Sequence, residues 1–309
     1  GVFDYINSNV VTGNVIINLT NDLTGETGTI GLNQFASGFT VTIKPSASPR
    51  TVTGSAGGCL INLTGADGVT IDGSFNGTTS RDMTFTNTST STSSAVVCLT
   101  SQGVGLGATG DTVKNLNIVG TTVTATDGTL VGIYSGASPV SSSGAGADND
   151  NNVIQNNNIS KVSIGIYSGG VSAANKNVGT VITQNVMNAA SPSNLKQGGI
   201  LVNFDDGAQI TRNDIAVLRN DGTTGGTGTA FGIALGIAAG TVGAADPALR
   251  GATMALHSMC GYAGGFLGPL GVGLALDLFA GDPMLGWGVG FGHLAAITLV
   301  GLLVLRRLS

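Results

Sequence analysis

An internal repeat constrains the fold of this chain more than any other feature of its sequence. The strings GIYSG, GIYSG, GILVN and GIALG begin at Gly132, Gly165, Gly199 and Gly232, which are 33, 34 and 33 residues apart. A fixed period between about 20 and 50 residues is typical of solenoids, in which each unit buries its apolar face by stacking on the next unit. The N-terminal region is therefore expected to be a repeat protein.

A second set of strings alternates with the first and indicates the kind of solenoid. Each string alternates Val or Ile with polar residues and contains Asn or Gly: DTVKNLNI (111–118), NNVIQNNNI (151–159), GTVITQNV (179–186) and AQITRNDI (208–215). Helical repeats need Leu or Ala at helical spacing, which is missing here, whereas short strands between Asn and Gly turns favour a parallel β-helix. We expect at least six coils over residues 1–236, with Val and Ile inside and Asn in ladders and left-handed corners.

One segment of this region resembles a known class of proteins. Residues 31–77 contain FTVTIKP followed by LINLTGADGVTIDG, and they resemble the N-terminal part of large bacterial cell-surface or secreted proteins with right-handed parallel β-helix repeats. The resemblance covers about residues 1–236. It implies an all-β, right-handed solenoid in the cell envelope or outside the cell, and it implies no catalytic activity.

The composition changes sharply after about residue 237 and predicts a separate membrane segment. Residues 251–276 contain no formal charge over 26 positions, and residues 284–305 contain none over another 22. Either run exceeds the roughly 20 residues that span a hydrocarbon core as a helix. We therefore predict a linker over 237–250 and a transmembrane α-helical hairpin, with helices at about 251–279 and 284–305.

The tail also resembles a known family. The strings DPALRGATMALHSMCGYAGGFLGPLGVGLALDLFAG and LGWGVGFGHLAAITLVGLLVLRRL resemble the last two transmembrane helices of major facilitator superfamily transporters, over about residues 240–309. The substrate cavity of that family lies between two six-helix halves, so two helices imply no transport and no transport residue is assigned. The basic residues Arg250, Arg306 and Arg307 place both ends of the hairpin in the cytoplasm, which conflicts with an envelope β-helix. We therefore hypothesise a chimera of two unrelated proteins, which a continuous natural reading frame across codons 225–255 would contradict.

The charged residues and cysteines narrow the range of functions. The net charge of -5 without a basic stripe argues against nucleic acid as a partner. The three cysteines, Cys59, Cys98 and Cys260, have neither metal-ligand spacing nor the even count of a disulfide framework. We expect Cys59 and Cys98 to be small buried side chains in comparable strands, and we expect no metal or cofactor.

Carboxylates after the GILVN string are the candidates for catalysis. Parallel β-helices often carry polysaccharide lyases or hydrolases, and glycoside hydrolysis needs two carboxyl groups across about 5 to 9.5 Å. Asp205 and Asp206 are adjacent, so on one strand they would point to opposite faces. A hydrolase of the polygalacturonase type also needs a His near its Asp cluster, and no His precedes His257. A lyase would use an Arg or Lys as base, for which Arg212 is the candidate, although solvated turn residues explain all three side chains more simply.

The sequence as a whole favours binding over catalysis. We predict a non-catalytic surface or secreted scaffold that binds glycans or another macromolecule and contacts a membrane through its C-terminal hairpin. The alternatives are a carbohydrate-active β-helix enzyme, either a polysaccharide lyase or a hydrolase, and the remnant of a truncated transporter. In the tail, His257 and His293 fall on separate predicted helices and do not make a zinc site, so we expect them to form helix contacts.

Overall fold

The computed structural model describes most of the first 236 residues and short parts of the tail. The described residues are 1–36, 38–121, 128–219, 230–236, 270, 272–282, 284–289 and 291–292. The chain divides into two compact units, Gly1–Ile237 and Ala238–Ser309.

The first unit is a parallel β-helix with seven three-stranded coils among its described residues, and its strands form three all-parallel sheets. Sheet A contains β1 (Val15–Leu19), β4 (Val41–Pro45), β7 (Val69–Asp72), β10 (Thr112–Lys114), β13 (Val153–Gln155), β17 (Val181–Thr183) and β21 (Gln209–Thr211). Sheet B contains β2 (Leu23–Glu26), β5 (Arg50–Gly54), β8 (Met83–Asn87), β11 (Leu116–Val119), β14 (Asn158–Ser160), β18 (Val186–Met187) and β22 (Asp214–Ile215). Sheet C contains β3 (Leu32–Asn33), β6 (Cys59–Thr64), β9 (Ala95–Ser101), β12 (Val131–Ala137), β15 (Ile164–Gly169), β19 (Gly198–Asn203) and β23 (Phe231–Leu235). A separate parallel pair consists of β16 (Asn177–Val178) and β20 (Asp205–Asp206).

A short helix, α1 (Val2–Asn7), precedes the first coil. Its Ile6 side chain is buried. The Asn7 side chain accepts a hydrogen bond from Asn33 N at 2.9 Å and donates one to Gly31 O at 2.8 Å. These two bonds attach the end of the helix to the first strand of sheet C.

Each coil contains three strands, whereas the sequence pattern predicted two strand types. The string DTVKNLNI forms β10 and β11, which are separated by a single residue, Asn115, with φ of 59°. The equivalent residues Asn156, Gln184 and Arg212 have φ of 51°, 58° and 55°. This left-handed conformation turns the chain from sheet A to sheet B, and Asn tolerates it better than most residues. The predicted left-handed Asn corners are confirmed at two coils, and in the next two Gln and Arg adopt the same conformation.

Aliphatic side chains fill the interior in continuous columns. One column crosses all seven strands of sheet A, in the order Ile17, Ile43, Ile71, Val113, Ile154, Ile182 and Ile210. The four members from Ile71 to Ile182 are completely buried. Full burial of each such side chain contributes about 2 kcal/mol. The prediction that Val and Ile face inward is confirmed.

The repeated glycines lie where successive coils approach most closely. A Cβ atom at Gly132 would lie 2.6 Å from Gly165 O, and one at Gly199 would lie 2.6 Å from Gly232 O. Real Cβ atoms do not approach backbone oxygen this closely, so any larger residue would push the coils apart. The steric limit at sheet C thus explains the glycines that begin the first three repeats, Gly132, Gly165 and Gly199, whereas a Cβ at Gly232 would meet no atom within 4 Å.

A ladder of asparagines follows the left-handed corners and faces the interior. Asn157 Nδ2 donates to Asn185 Oδ1 at 3.0 Å, and Asn185 Nδ2 donates to Asn213 Oδ1 at 3.0 Å. Asn185 Nδ2 also reaches Ile154 O at 2.9 Å, so the ladder satisfies backbone groups as well. The predicted asparagine ladder is confirmed in these three coils.

The interpretation of Cys59 and Cys98 as unpaired buried residues is wrong. Their sulfur atoms form a disulfide that joins β6 to β9, the sheet C strands of successive coils, with the Cα atoms 5.8 Å apart. The argument from an odd cysteine count failed because it counted the whole chain, while stacking brings two particular cysteines together. Cys260 lies outside the described residues.

The second unit shows helical structure at its described positions. Residues 272–278 and 284–289 are helical, and Leu285 N donates to the Asp282 side chain at 3.1 Å at the start of the second segment. No helix within the described part of the tail is long and apolar enough to cross a membrane. The predicted linker 237–250, most of both predicted spans, His257 and His293 lie outside the described residues.

Candidate functional site

The two candidate carboxylates lie on β20 and point in different directions. β20 pairs with β16, so that Asn177 faces Asp205 in the ladder. Asp205 is half-buried and accepts a hydrogen bond from Ser168 Oγ at 3.3 Å. Asp206 is exposed, and its carboxylate lies 3.7 Å from Lys176 Nζ. The opposite orientation follows from the alternation of side chains along a strand.

The environment of Asp205 changes its acidity. Burial raises the pKa of the Asp205 carboxyl, hydrogen bonds from Thr180 and Ser168 lower it in part, and the charge of Asp150 raises it further. A cavity of about 500 Å³ adjoins this carboxyl. The cavity is lined by Lys176, Val202, Phe204, Asp205, Gly207, Ala208, Ile210, Leu235 and Gly236. A carboxyl group with a raised pKa beside a cavity is chemically suited to donate a proton.

Arg212 does not join the two carboxylates. It lies at the left-handed corner between β21 and β22, so the whole of β21 separates it from β20. Among the described residues, no hydrogen bond or ion pair connects Arg212 to Asp205 or Asp206. A general base needs to lie within about 3 Å of the proton that it removes, or one water molecule away. The catalytic role of these three residues therefore stays a prediction.

The outer face of sheet C is covered by its own loop. Tyr134 and Tyr167, the tyrosines of the two GIYSG strings, stack with ring centroids 5.2 Å apart. The Tyr134 hydroxyl donates to Ala137 O at 2.6 Å, and the Tyr167 hydroxyl donates to Gly144 O at 2.9 Å. Both tyrosines are almost completely buried. This face is therefore closed to a large ligand at these coils.

The outer face of sheet A is accessible and carries charge. Thr42, Thr70 and Thr112 form a column across three coils. Beside them, Lys114 Nζ lies 3.2 Å from Asp72 Oδ2, and Lys44 lies on the preceding coil. The opposite charges of Lys114 and Asp72 are therefore already paired with each other.

The outer face of sheet B presents two mostly polar columns that carry no charge over the five coils from β2 to β14. The first contains Thr51, Thr84, Asn117 and Asn158, and the second contains Thr24, Thr53, Thr86, Val119 and Ser160. On the last two coils the first column continues with Val186 and the exposed Asp214. Asn158 Nδ2 donates to Asn117 Oδ1 at 3.3 Å, which links neighbouring coils within the first column. Strand geometry spaces the coils by about 4.8 Å and the columns by about 6.6 Å. In the sequence, these columns correspond to the strings TVT, TFT, NIV and NIS. The strings alone do not reveal the columns, because which residues stack depends on the register between coils.

Neither a scan against protein-family models nor searches of curated proteins and solved structures give a match to this chain. The choice between a binding scaffold and an enzyme therefore rests on the faces of the solenoid and on the corner that holds Asp205.

Proposed function

We propose that this chain is a non-catalytic scaffold whose sheet B face binds a neutral polysaccharide. The observation that carries the proposal is the pair of uncharged columns on that face. Hydroxyl or amide groups recur at each of the five coils from β2 to β14, and each can donate or accept hydrogen bonds to the hydroxyl groups of a repeating sugar polymer. A charged glycan would need free basic or acidic partners, which these columns lack from β2 to β14; the carboxylate of Asp214 on the last coil would repel an acidic glycan.

The positions of the three candidate catalytic residues favour a binding scaffold over an enzyme. Asp205 is directed towards Ser168, Asp206 pairs with Lys176, and Arg212 lies at another corner. Hydrolysis needs two carboxyl groups that face one bond, and elimination needs a base close to the sugar ring. Among the residues that the structure describes, Asp205 beside its cavity is the feature that favours a carbohydrate-active enzyme.

We further propose a right-handed coil and a location outside the cytoplasm. Connections between parallel strands of one sheet are right-handed in nearly all proteins, which favours that sense for these coils. The Cys59–Cys98 disulfide favours an oxidising compartment, such as the cell surface or the medium.

For the tail we propose membrane association through a hairpin of helices at about 251–279 and 284–305. The support is the exposure of large apolar side chains on the described helical residues, namely Leu270, Leu274, Leu278, Met284, Leu285 and Trp287. The full chain is expected to float with phospholipid vesicles in a density gradient and to need detergent for extraction. A full chain that stays in the aqueous fraction would contradict this assignment.

Binding to neutral polysaccharides tests the sheet B assignment. The full chain in detergent would be titrated against immobilised neutral and acidic polysaccharides. One variant carries Thr51→Val and Thr84→Val on sheet B, and its matched control carries Thr42→Val and Thr70→Val on sheet A of the same two coils. Each lost hydrogen bond is worth about 1 kcal/mol, so we expect about 30-fold weaker binding for the first variant only.

Two outcomes would contradict the proposal. Equal losses in the two variants would mean that sheet B is not the binding face. Cleavage of an acidic polysaccharide, with or without Ca²⁺, that disappears in Asp205→Asn would establish the enzyme instead.

A further inference from the structure

The loop between β7 and β8 contains an asparagine followed by a glycine. In this loop, residues 73–82, both Asn76 and Gly77 are exposed, and Gly77 has φ of 72°. Nothing lies within 4 Å of the position that a Cβ would occupy at Gly77. The backbone nitrogen of Gly77 is therefore unhindered by a side chain of its own.

Hydrogen-bond donors converge on the side-chain oxygen of Asn76. Ser74 Oγ donates to Asn76 Oδ1 at 2.9 Å, and Thr78 Oγ1 donates to it at 2.6 Å. The backbone N–H of Thr78 points at the same oxygen at 3.1 Å, which identifies that atom as the oxygen rather than the nitrogen of the amide. Three donors from two residues thus surround one carbonyl oxygen.

Ser80 donates its hydroxyl proton to Asp82 and not to Asn76. Ser80 Oγ lies 3.2 Å from Asn76 Oδ1 but 2.5 Å from Asp82 Oδ2. A hydroxyl has one proton, and the shorter bond to a carboxylate takes it. In agreement, the bonds from Ser80, Phe75 N and Ser48 lower the pKa of Asp82. Ser74 Oγ also lies 3.0 Å from Ser80 Oγ, which is a second acceptor for its one proton. Thr78, through its hydroxyl and its N–H, and Ser74 are therefore the residues whose donors polarise Asn76.

We propose that Asn76 is a site of self-catalysed deamidation. The Gly77 nitrogen attacks Asn76 Cγ and loses its proton, a new C–N bond closes a five-membered imide, and the side-chain nitrogen leaves as ammonia with that proton. Water then opens the imide to aspartate or isoaspartate. Negative charge develops on Oδ1 during the attack, where the donors of Ser74 and Thr78 stabilise it as an oxyanion hole does.

The same donors accommodate the product. A carboxylate at position 76 accepts every hydrogen bond that the amide oxygen accepted, and donors directed at a carboxylate favour its charged form. With aspartate as the product, the loop therefore keeps its contacts while gaining one negative charge, whereas isoaspartate lengthens the main chain by one carbon. This modification is independent of polysaccharide binding, because the loop lies between sheets A and B and contributes no residue to either sheet B column.

Mass spectrometry of the full chain after incubation in mildly alkaline buffer tests the proposal. We expect the folded chain to deamidate at Asn76 faster than the same chain unfolded in urea. Ser74→Ala and Thr78→Val are each expected to slow the reaction about fivefold in the folded chain and to leave it unchanged in urea. The matched control is Thr79→Val, which removes a neighbouring hydroxyl that makes no hydrogen bond to Asn76. A folded rate no higher than the unfolded rate, or equal rates for Thr78→Val and Thr79→Val, would overturn it.

Discussion

Replacing Asp111 by Asn is expected to stabilise the solenoid at neutral pH. Asp111 precedes β10 and is completely buried. Its Oδ1 accepts a hydrogen bond from Val69 N at 2.7 Å, but its Oδ2 has no partner among the described residues. In the next coil, Asn152 occupies the equivalent position and donates its Nδ2 to Ala108 O at 2.8 Å. Asp111 therefore occupies the position that asparagine occupies in the next coil. It can donate a hydrogen bond as Asn152 does only when its carboxyl group is protonated.

The magnitude follows from linkage between protonation and folding. Burial raises the pKa of Asp111 well above its ordinary value of 3.8; the Val69 N–H lowers it in part, and the charge of Asp67 raises it further. Above pH 3.8 the unfolded chain loses this proton while the folded chain keeps it. The free energy of unfolding then falls by about 1.4 kcal/mol for each pH unit up to the folded pKa and stays level above it. Asp111→Asn removes this loss because an amide does not titrate.

Urea unfolding of the full chain in detergent, at steps between about pH 4 and pH 8, measures the effect. The difference in unfolding free energy between Asp111→Asn and the wild type should grow with pH from near the bottom of this range. Asp111→Ala is the control, since it also lacks the titration but leaves the Val69 N–H unsatisfied, at a cost of about 1 to 3 kcal/mol. A difference between Asp111→Asn and wild type that does not vary with pH would refute the reasoning.

Cys98→Ser is expected to lower the free energy of unfolding by about 4 kcal/mol, because the Cys59–Cys98 bond closes a loop across a sequence separation of 39 residues. Wild type unfolded with a reductant present should match the variant. Asn185→Ala should cost about 3 kcal/mol because it leaves buried partners unsatisfied, while Asn188→Ala at an exposed position should change stability by less than about 0.5 kcal/mol; similar values for both would argue against the ladder. Asp205→Asn should flatten the decline of the melting temperature as the pH rises above about 4, since the pKa of Asp205 is raised. An unchanged profile would show that this carboxyl ionises as readily in the folded protein as in the unfolded chain.

The repeated glycines and the alternation of Ile and Val could be predicted from the sequence, because each pattern lies within a single strand of the coil. Gly132, Gly165 and Gly199 are fixed by the contact between coils, and the Ile and Val alternation is fixed by the interior. The third sheet was missed because a single residue, such as Asn115, separates β10 from β11. No pattern of hydrophobic residues marks so short a corner.

The features that depend on register between coils were not readable. Asn157 and Asn185 are 28 residues apart, whereas Leu116 and Asn157, linked by the same kind of bond, are 41 apart. Coils of unequal length hide which residues stack. The Cys59–Cys98 disulfide and the polar columns of sheet B could therefore not be predicted from the sequence. Asp205 was identified as a candidate because it is one of two adjacent carboxylates, and its burial could not be predicted.

Because the coils are unequal in length, the solenoid tolerates changes in its loops and can gain or lose a coil. Loop length varies at the corners, while strand pairing joins each coil only to its neighbours. One side chain reaches further, since Arg81 donates to Asn156 two coils away. Insertion or deletion of one whole coil away from the Arg81–Asn156 contact would alter the length of the solenoid by about 4.8 Å and leave the strand pairing of the other coils in place. Under the proposed binding on sheet B, the number of coils sets the length of polysaccharide that one molecule contacts.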